Sequence, residues 1–145
     1  MARILAATIA FFLICLAVLV DAAPLQTRQI GNIQCNVARL KIVGALAASG
    51  RNIKKIGTAD VAAAGAASTA SAGIQSANAG VAKIAAAIVT GQKAPAAARD
   101  QVEKGLTDAQ TALQGLDSTD PAVASSISSV SKAISAGQDV VANCK

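Results

Sequence analysis

Histidine, tryptophan and tyrosine are absent from this 145-residue chain, and both phenylalanines, the single methionine and one of the three cysteines fall within its first 15 residues. Without histidine there is no Ser-His-Asp or Cys-His arrangement, and the commonest metal ligand is missing. Without aromatics beyond residue 12 there is nothing to stack on bases, so nucleic acid is not an expected partner. A core must then be built from Ile, Leu, Val and Ala. Acidic residues are scarce in one region: none lies between Asp21 and Asp60, a span that holds Arg28, Arg39, Lys41, Arg51, Lys54 and Lys55. No N-x-S/T sequon occurs, so N-glycosylation is not expected.

The remaining catalytic signatures are thin. Ser129-Val130-Ser131-Lys132 has the S-x-x-K spacing of penicillin-binding proteins, but no S-D-N or K-T-G partner accompanies it, and serine and lysine are ordinary on a solvated helix face. Asp100, Glu103 and Asp108 share a helical segment with Arg99 and Lys104, a pattern that suits surface ion pairs at i,i+4 spacing. No Glu-x-x-His pair exists for a di-metal bundle site, and the glycines lack the Gly-Lys-Ser/Thr ending of a phosphate loop. The expectation is a non-enzymatic protein with no catalytic residue, metal ligand or cofactor.

Residues 1–22 have the layout of a secretory signal peptide: Arg3, then the uncharged run "ILAATIAFFLICLAVLV", then Val20-Asp21-Ala22 ahead of cleavage. The 17 apolar residues of that run are at the short limit for a spanning helix, and cleavage would leave no stable transmembrane anchor. Residues 23–32 read as a flexible tail, in which Arg28-Gln29 leaves a second processing step open, and 33–145 as one helical domain. From residue 23 onward, 12 Lys/Arg face 7 Asp/Glu, so the charge remains +5. Cys35 and Cys144 are the only cysteines left, and in a secreted chain an even pair implies a disulfide. Closing a loop of 108 residues would contribute on the order of 4 to 5 kcal/mol in the chain-entropy model.

Apolar periodicity of about 3.6 residues marks four helices. The last carries Val123, Ile127, Val130, Ile134 and Val141, skips its seam at Gly137, and opens at Asp120-Pro121, a cap followed by a proline suited to the first turn. The third carries Val102, Leu106, Ala109, Leu113 and Leu116 between Pro95 and residues 117–119. The second is expected over 58–90, capped by Thr58, with Ile74, Val81 and Ile88 at seven-residue intervals and Ile84 between them. The first, over 33–56, is untidy: Ile33, Val37 and Leu40 mark one face while Ile42, Leu46, Ile53 and Ile56 mark another. Short connections make successive helices antiparallel. The prediction is an all-α, up-down-up-down four-helix bundle, the one simple order that brings Cys35 and Cys144 to the same end.

Residues 62–73, "AAAGAASTASAG", contain nothing larger than threonine. Alanine-rich and without alternation, the stretch is expected to be helical despite two glycines that each cost about 1 kcal/mol, with a kink or fraying there. Its expected role is the thin wall of a bundle whose backbones approach closely.

With "VDAAP" at the end of the leader, "IQCNVARLKIVGALAASG" after it and "VVANC" at the far end, the chain resembles small secreted alanine-rich helical proteins of insects. In architecture it is also similar to exchangeable apolipoprotein-like bundles and to hydrophobic-surface-binding helical proteins. These resemblances imply an extracellular role and carry over no site residue. The expected function is a secreted binding or interaction protein for lipid, a hydrophobic surface or an extracellular protein. Two alternatives are a structural component of a secretion or lining, and a cationic defence protein that meets anionic membranes through Arg39, Lys41, Arg51, Lys54 and Lys55. Opening onto lipid is expected to split the bundle between its second and third helices, near "GQKAP" at 91–95.

Overall fold

The computed structural model of the protein describes residues 32–57, 60–116 and 119–144. They form four helices, with no strand among them: α1 Ile33–Ile53, α2 Val61–Val89, α3 Ala96–Gln114 and α4 Pro121–Asn143. The expected signal segment 1–22, and all of the expected tail except Asn32, lie outside the described residues.

Three of the four helices start on a side chain that accepts their free amides, the role for which Asn and Asp are favoured. Asn32 Oδ1 accepts from the Gln34 and Cys35 amides at 3.0 and 3.2 Å. Asp60 accepts from Ala62 and Ala63, and Asp120 from Ala122 at 2.8 Å with Pro121 in the first turn behind it. Thr58 lies outside the described residues, and Asp60 is the cap of α2: its backbone is extended, which aims its carboxylate at the first amides. α3 follows the extended residue Pro95 and has no side-chain cap.

The helices also end earlier than expected. α1 stops at Ile53, and the Lys55 and Ile56 amides turn back to the Asn52 and Ile53 carbonyls at 2.9 and 3.1 Å, which leaves Ile56 buried in the core. α3 stops at Gln114 with Gly115 as its C-cap, short of 117–119. At the end of α2, Gly91 has φ +70, a left-handed conformation that frees the Gln92 amide to reach the Ala87 carbonyl at 2.7 Å.

The helices pack as two tight pairs, α2 with α3 and α1 with α4, while α1 meets α2 and α3 meets α4 over much smaller areas. Within each pair the chains run in opposite directions. Gly73 lies opposite Gly105 and Gly80 opposite Ala98, and on the other side Lys41 lies opposite Asp139 and Asn52 opposite Ser129. The first and last helices are therefore neighbours, and Cys35 and Cys144 form the expected disulfide, 4.9 Å apart at Cα. Beside it the Asn32 side chain donates to the Asn143 carbonyl at 3.0 Å. At the far end of the bundle Asp120 Oδ2 accepts the Gly57 amide at 3.2 Å, so one carboxylate both caps α4 and ties down the α1–α2 connection.

The seam between α2 and α3 explains where the small residues are needed. A Cβ on Gly73 would stand 2.5 Å from the Gly105 carbonyl oxygen, a Cβ on Gly105 would stand 2.5 Å from that of Gly73, and one on Gly80 would meet the Ala98 oxygen at 2.8 Å. Backbone touches backbone. The stretch 62–73 is helical as expected and α2 runs through both of its glycines without a break, but of those two glycines only Gly73 belongs to this contact. Gly65 faces open space, and Ser68, Thr69 and Ala72 are exposed. The heptad residues Val81, Ile84 and Ile88 flank the seam half-buried, while Ala70, Gly73, Ala77 and Gly80 occupy its centre, because close approach selects the smallest residues for the line of contact.

The α1–α4 seam is also lined with small residues, here polar ones. Ser49, Ser126 and Ser129 are buried and return their hydroxyl protons to the carbonyls of Ala45, Ala122 and Ser125, four residues back. With these serines inward, Ile127 and Ile134 sit half-buried; Val141, expected in the same apolar stripe, is exposed near the end of α4 although Val123, five turns earlier on the same side, is buried. Ile42, Leu46, Ile53, Ile74, Leu106 and Leu113 fill the space between the two pairs.

Candidate functional site

The two apolar faces of α1 resolve into an inner and an outer one. Cys35, Ala38, Ile42, Leu46, Ser49 and Ile53 face the core. On the opposite side Ile33, Leu40, Val43 and Val37 are 78%, 73%, 51% and 44% exposed. At about 100° per residue, Ile33, Val37, Leu40, Gly44, Ala47 and Arg51 point within about 40° of one direction. Gly44 has nothing within 4 Å of where a Cβ would stand, and Ala47 is exposed. The outer face is thus apolar over its first four turns, Arg51 follows on the same side in the last turn, and Lys54 and Lys55, both exposed, come in the turn just beyond the helix.

The five cations singled out from the sequence do not form one cluster. Arg39 is half-buried and donates to the Asn36 side chain at 3.4 Å, and Lys41 pairs with Asp139 of α4 at 3.8 Å. Arg51, Lys54 and Lys55 gather at the end of α1 distant from the disulfide. The sequence marks Ile33, Val37 and Leu40 as one face of α1 and Ile42, Leu46, Ile53 and Ile56 as another, and Val43 belongs to neither reading. The signal was available: two apolar lines on opposite sides of one helix cannot both face the same core.

Beside this face, a groove of about 520 Å³ between α1 and α4 is lined by small residues with Asn52, Ser129 and Lys132 among them. The S-x-x-K residues Ser129 and Lys132 both line it, but the Ser129 hydroxyl is held by the helix: it donates to the Ser125 carbonyl and accepts from Asn52 Nδ2 at 2.7 Å. The carboxylates of α3 behave as surface groups, with Lys104 reaching Asp108 at 2.8 Å. Among the described residues no three His, Cys, Asp or Glu side chains cluster to hold a metal ion.

The closed packing gives no support to the expected route of opening. The α2–α3 pair flanking "GQKAP" is locked by its glycines, so those helices do not form a weak seam. The weak boundary separates the α2–α3 pair from the α1–α4 pair. The two pairs are joined by the connections after α1 and after α3, both at the end opposite the disulfide. Separation along this boundary leaves the disulfide intact. α2 is, by length and composition, apolar enough to cross a membrane, but here its glycine face is occupied by α3. Comparison of the chain with protein-family models, characterised proteins and solved structures finds no match.

Proposed function

We propose that the protein is a secreted, non-enzymatic binding protein that engages lipid or another apolar surface. The observation that supports this reading is the outer face of α1, where Ile33, Val37 and Leu40 stand in solvent along one side with Val43 at its edge, on a helix already anchored by its opposite side. Contiguous exposed apolar patches on small proteins mark interaction sites more often than chance. Secretion rests on the sequence layout of residues 1–22, and the disulfide accords with it, since such bonds persist in oxidising compartments.

The direct test is partition of the disulfide-bonded protein onto neutral lipid emulsion droplets and onto phospholipid vesicles, each with wild type and with Leu40→Ser. Binding to either surface that weakens in the variant supports the reading, and absence of binding to both would overturn it. A second reading, a cationic defence protein, is favoured by the lack of any acid between residues 32 and 57. It requires killing of bacteria that falls when Arg51, Lys54 and Lys55 become glutamine. A protein recovered mainly in an insoluble secretion or lining would point to the structural alternative.

A further inference from the structure

We infer that the closed bundle docks on anionic phospholipid membranes through the outer face of α1, with Ile33, Val37, Leu40 and Val43 entering the headgroup–acyl boundary and Arg51, Lys54 and Lys55 lying on the headgroups. This rests on the binding reading above and names its surface. A helix with one apolar side and basic residues in line with it lies flat in the interface, apolar side down, without crossing. Here the length from Ile33 to Lys55 is on the order of 30 Å, long enough for both halves to touch the bilayer together.

Three features favour lipid over other occupants. Charge is the first: α1 has no acid of its own, and its ion pair with α4, Lys41 with Asp139, sits at the side of the face. The second is the make-up of the face, whose exposed apolar residues are all aliphatic, with Gly44 and Ala47 between them and Arg51. Protein interfaces concentrate their affinity in aromatic and arginine anchors seated in pockets, whereas a bilayer asks only for apolar area and charge. The third concerns a second copy of the chain. Full overlap of two such faces would set the Arg51, Lys54 and Lys55 end of one copy either against the same end of the other or against its apolar half, and neither like charge nor apolar surface is a favourable partner for those cations.

Docking in this way needs no opening. The inner face of α1 stays on the core, Cys35 stays bonded to Cys144, and α4 stays in place behind the helix. The weakly joined boundary between helix pairs is on the other side and is not required to move.

The experiment is vesicle co-sedimentation of the disulfide-bonded protein, secreted from cells expressing the full chain. Vesicles of phosphatidylcholine are compared with vesicles that also contain phosphatidylglycerol, at low and at physiological salt. Wild type is expected to prefer the anionic vesicles and to lose part of that preference as salt rises. Arg51→Gln/Lys54→Gln/Lys55→Gln should weaken binding to them roughly 100-fold, each cation near such a surface contributing about a factor of ten at most. Leu40→Ser should weaken binding to both vesicle types about 10-fold by removing apolar area.

A control removes the same charge elsewhere, at Lys83, Lys93 and Lys104, and is expected to bind nearly as well as wild type. An equal loss in the control would overturn the docking face in favour of net charge. Equal binding of wild type to neutral and anionic vesicles would overturn the anionic preference while leaving the broader apolar-surface reading standing, and no binding to vesicles or emulsion would remove both. Self-association of wild type that disappears in Leu40→Ser would assign the face to a second copy and overturn the proposal. All substitutions are at exposed positions, and unchanged circular-dichroism melts establish that the variants are folded.

Discussion

The two tight helix pairs use opposite devices for the same purpose. Between α2 and α3 the backbones touch at Gly73, Gly80 and Gly105, the centre of the contact is glycine and alanine beside Val102, and Gln101 adds hydrogen bonds to the Ser76 carbonyl and from Lys83. Between α1 and α4 the helices are held by a disulfide at one end, by Asn52 donating to Ser129 along the seam, and by a salt link between Lys41 and Asp139. The difference shows how a chain poor in large side chains assembles a core. Alanine buries little area, so the strength that leucine or phenylalanine would supply must come from many close contacts in one pair and from a covalent tie in the other. The helices of each pair meet closely, and the two pairs share much less contact with each other.

Breaking the covalent tie should have the largest effect. Cys35→Ser/Cys144→Ser, or reduction of the wild type, is expected to lower stability by about 4 kcal/mol, read as a shift of the urea midpoint. Melting that is indifferent to reductant would show that the α1–α4 pair does not depend on it.

The glycine seam comes next, and it sharpens the comparison because the sign of a substitution should depend on place. Gly105→Ala puts a methyl group against the Gly73 carbonyl and should destabilise by about 2 kcal/mol, even though alanine is the better helix former. Gly65→Ala, in the same helix as Gly73 but facing open space, should stabilise by up to about 1 kcal/mol. Thermal melts of the two variants moving in the same direction would contradict the backbone contact.

A smaller loss, about 1 kcal/mol, is expected for Asp120→Ala, which removes the cap of α4 together with the hydrogen bond to Gly57. Because that bond joins the two connections between the pairs, amide hydrogen exchange should quicken at Gly57 as well as at Ala122. Quickening at Ala122 alone would mean that Asp120 acts only as a cap. The least effect belongs to Lys104→Ala. Its exposed pair with Asp108 is worth about 0.3 kcal/mol at i,i+4 spacing, and the melt should be almost unchanged.

Much of the fold was legible in the residues. Asp120-Pro121 announces the start of α4, Val102, Leu106, Ala109 and Leu113 lie buried on α3 as their spacing predicts, and Cys35 meets Cys144 as an even number of antiparallel helices requires. The candidate site was half legible. The cations of α1 could be counted, but whether they formed a cluster depended on Asp139 and Asn36 engaging two of them. Val141 shows the same limit from the other direction: it has the right spacing for the α4 stripe, on the same side as buried Val123, and is exposed because periodicity does not say how far along a helix its neighbours cover it.

The sequence by itself therefore determined what is local and what is covalent: four helices, the cap of the last one at Asp120, the lack of histidine chemistry, and which two cysteines were available to pair. These follow from backbone hydrogen bonding and side-chain type within a few residues. Tertiary structure decided which of the two apolar sides of α1 went inward, which small residues lay in the line of contact and which merely faced water, and which boundary between helices was left weak. Glycine and alanine look alike along most of α2, and they acquire different roles only when the backbone of α3 arrives at Gly73 and Gly80 and not at Gly65. A helix with two apolar sides is likewise ambiguous until its neighbours cover one of them, and the side left over on α1 is the one that faces solvent.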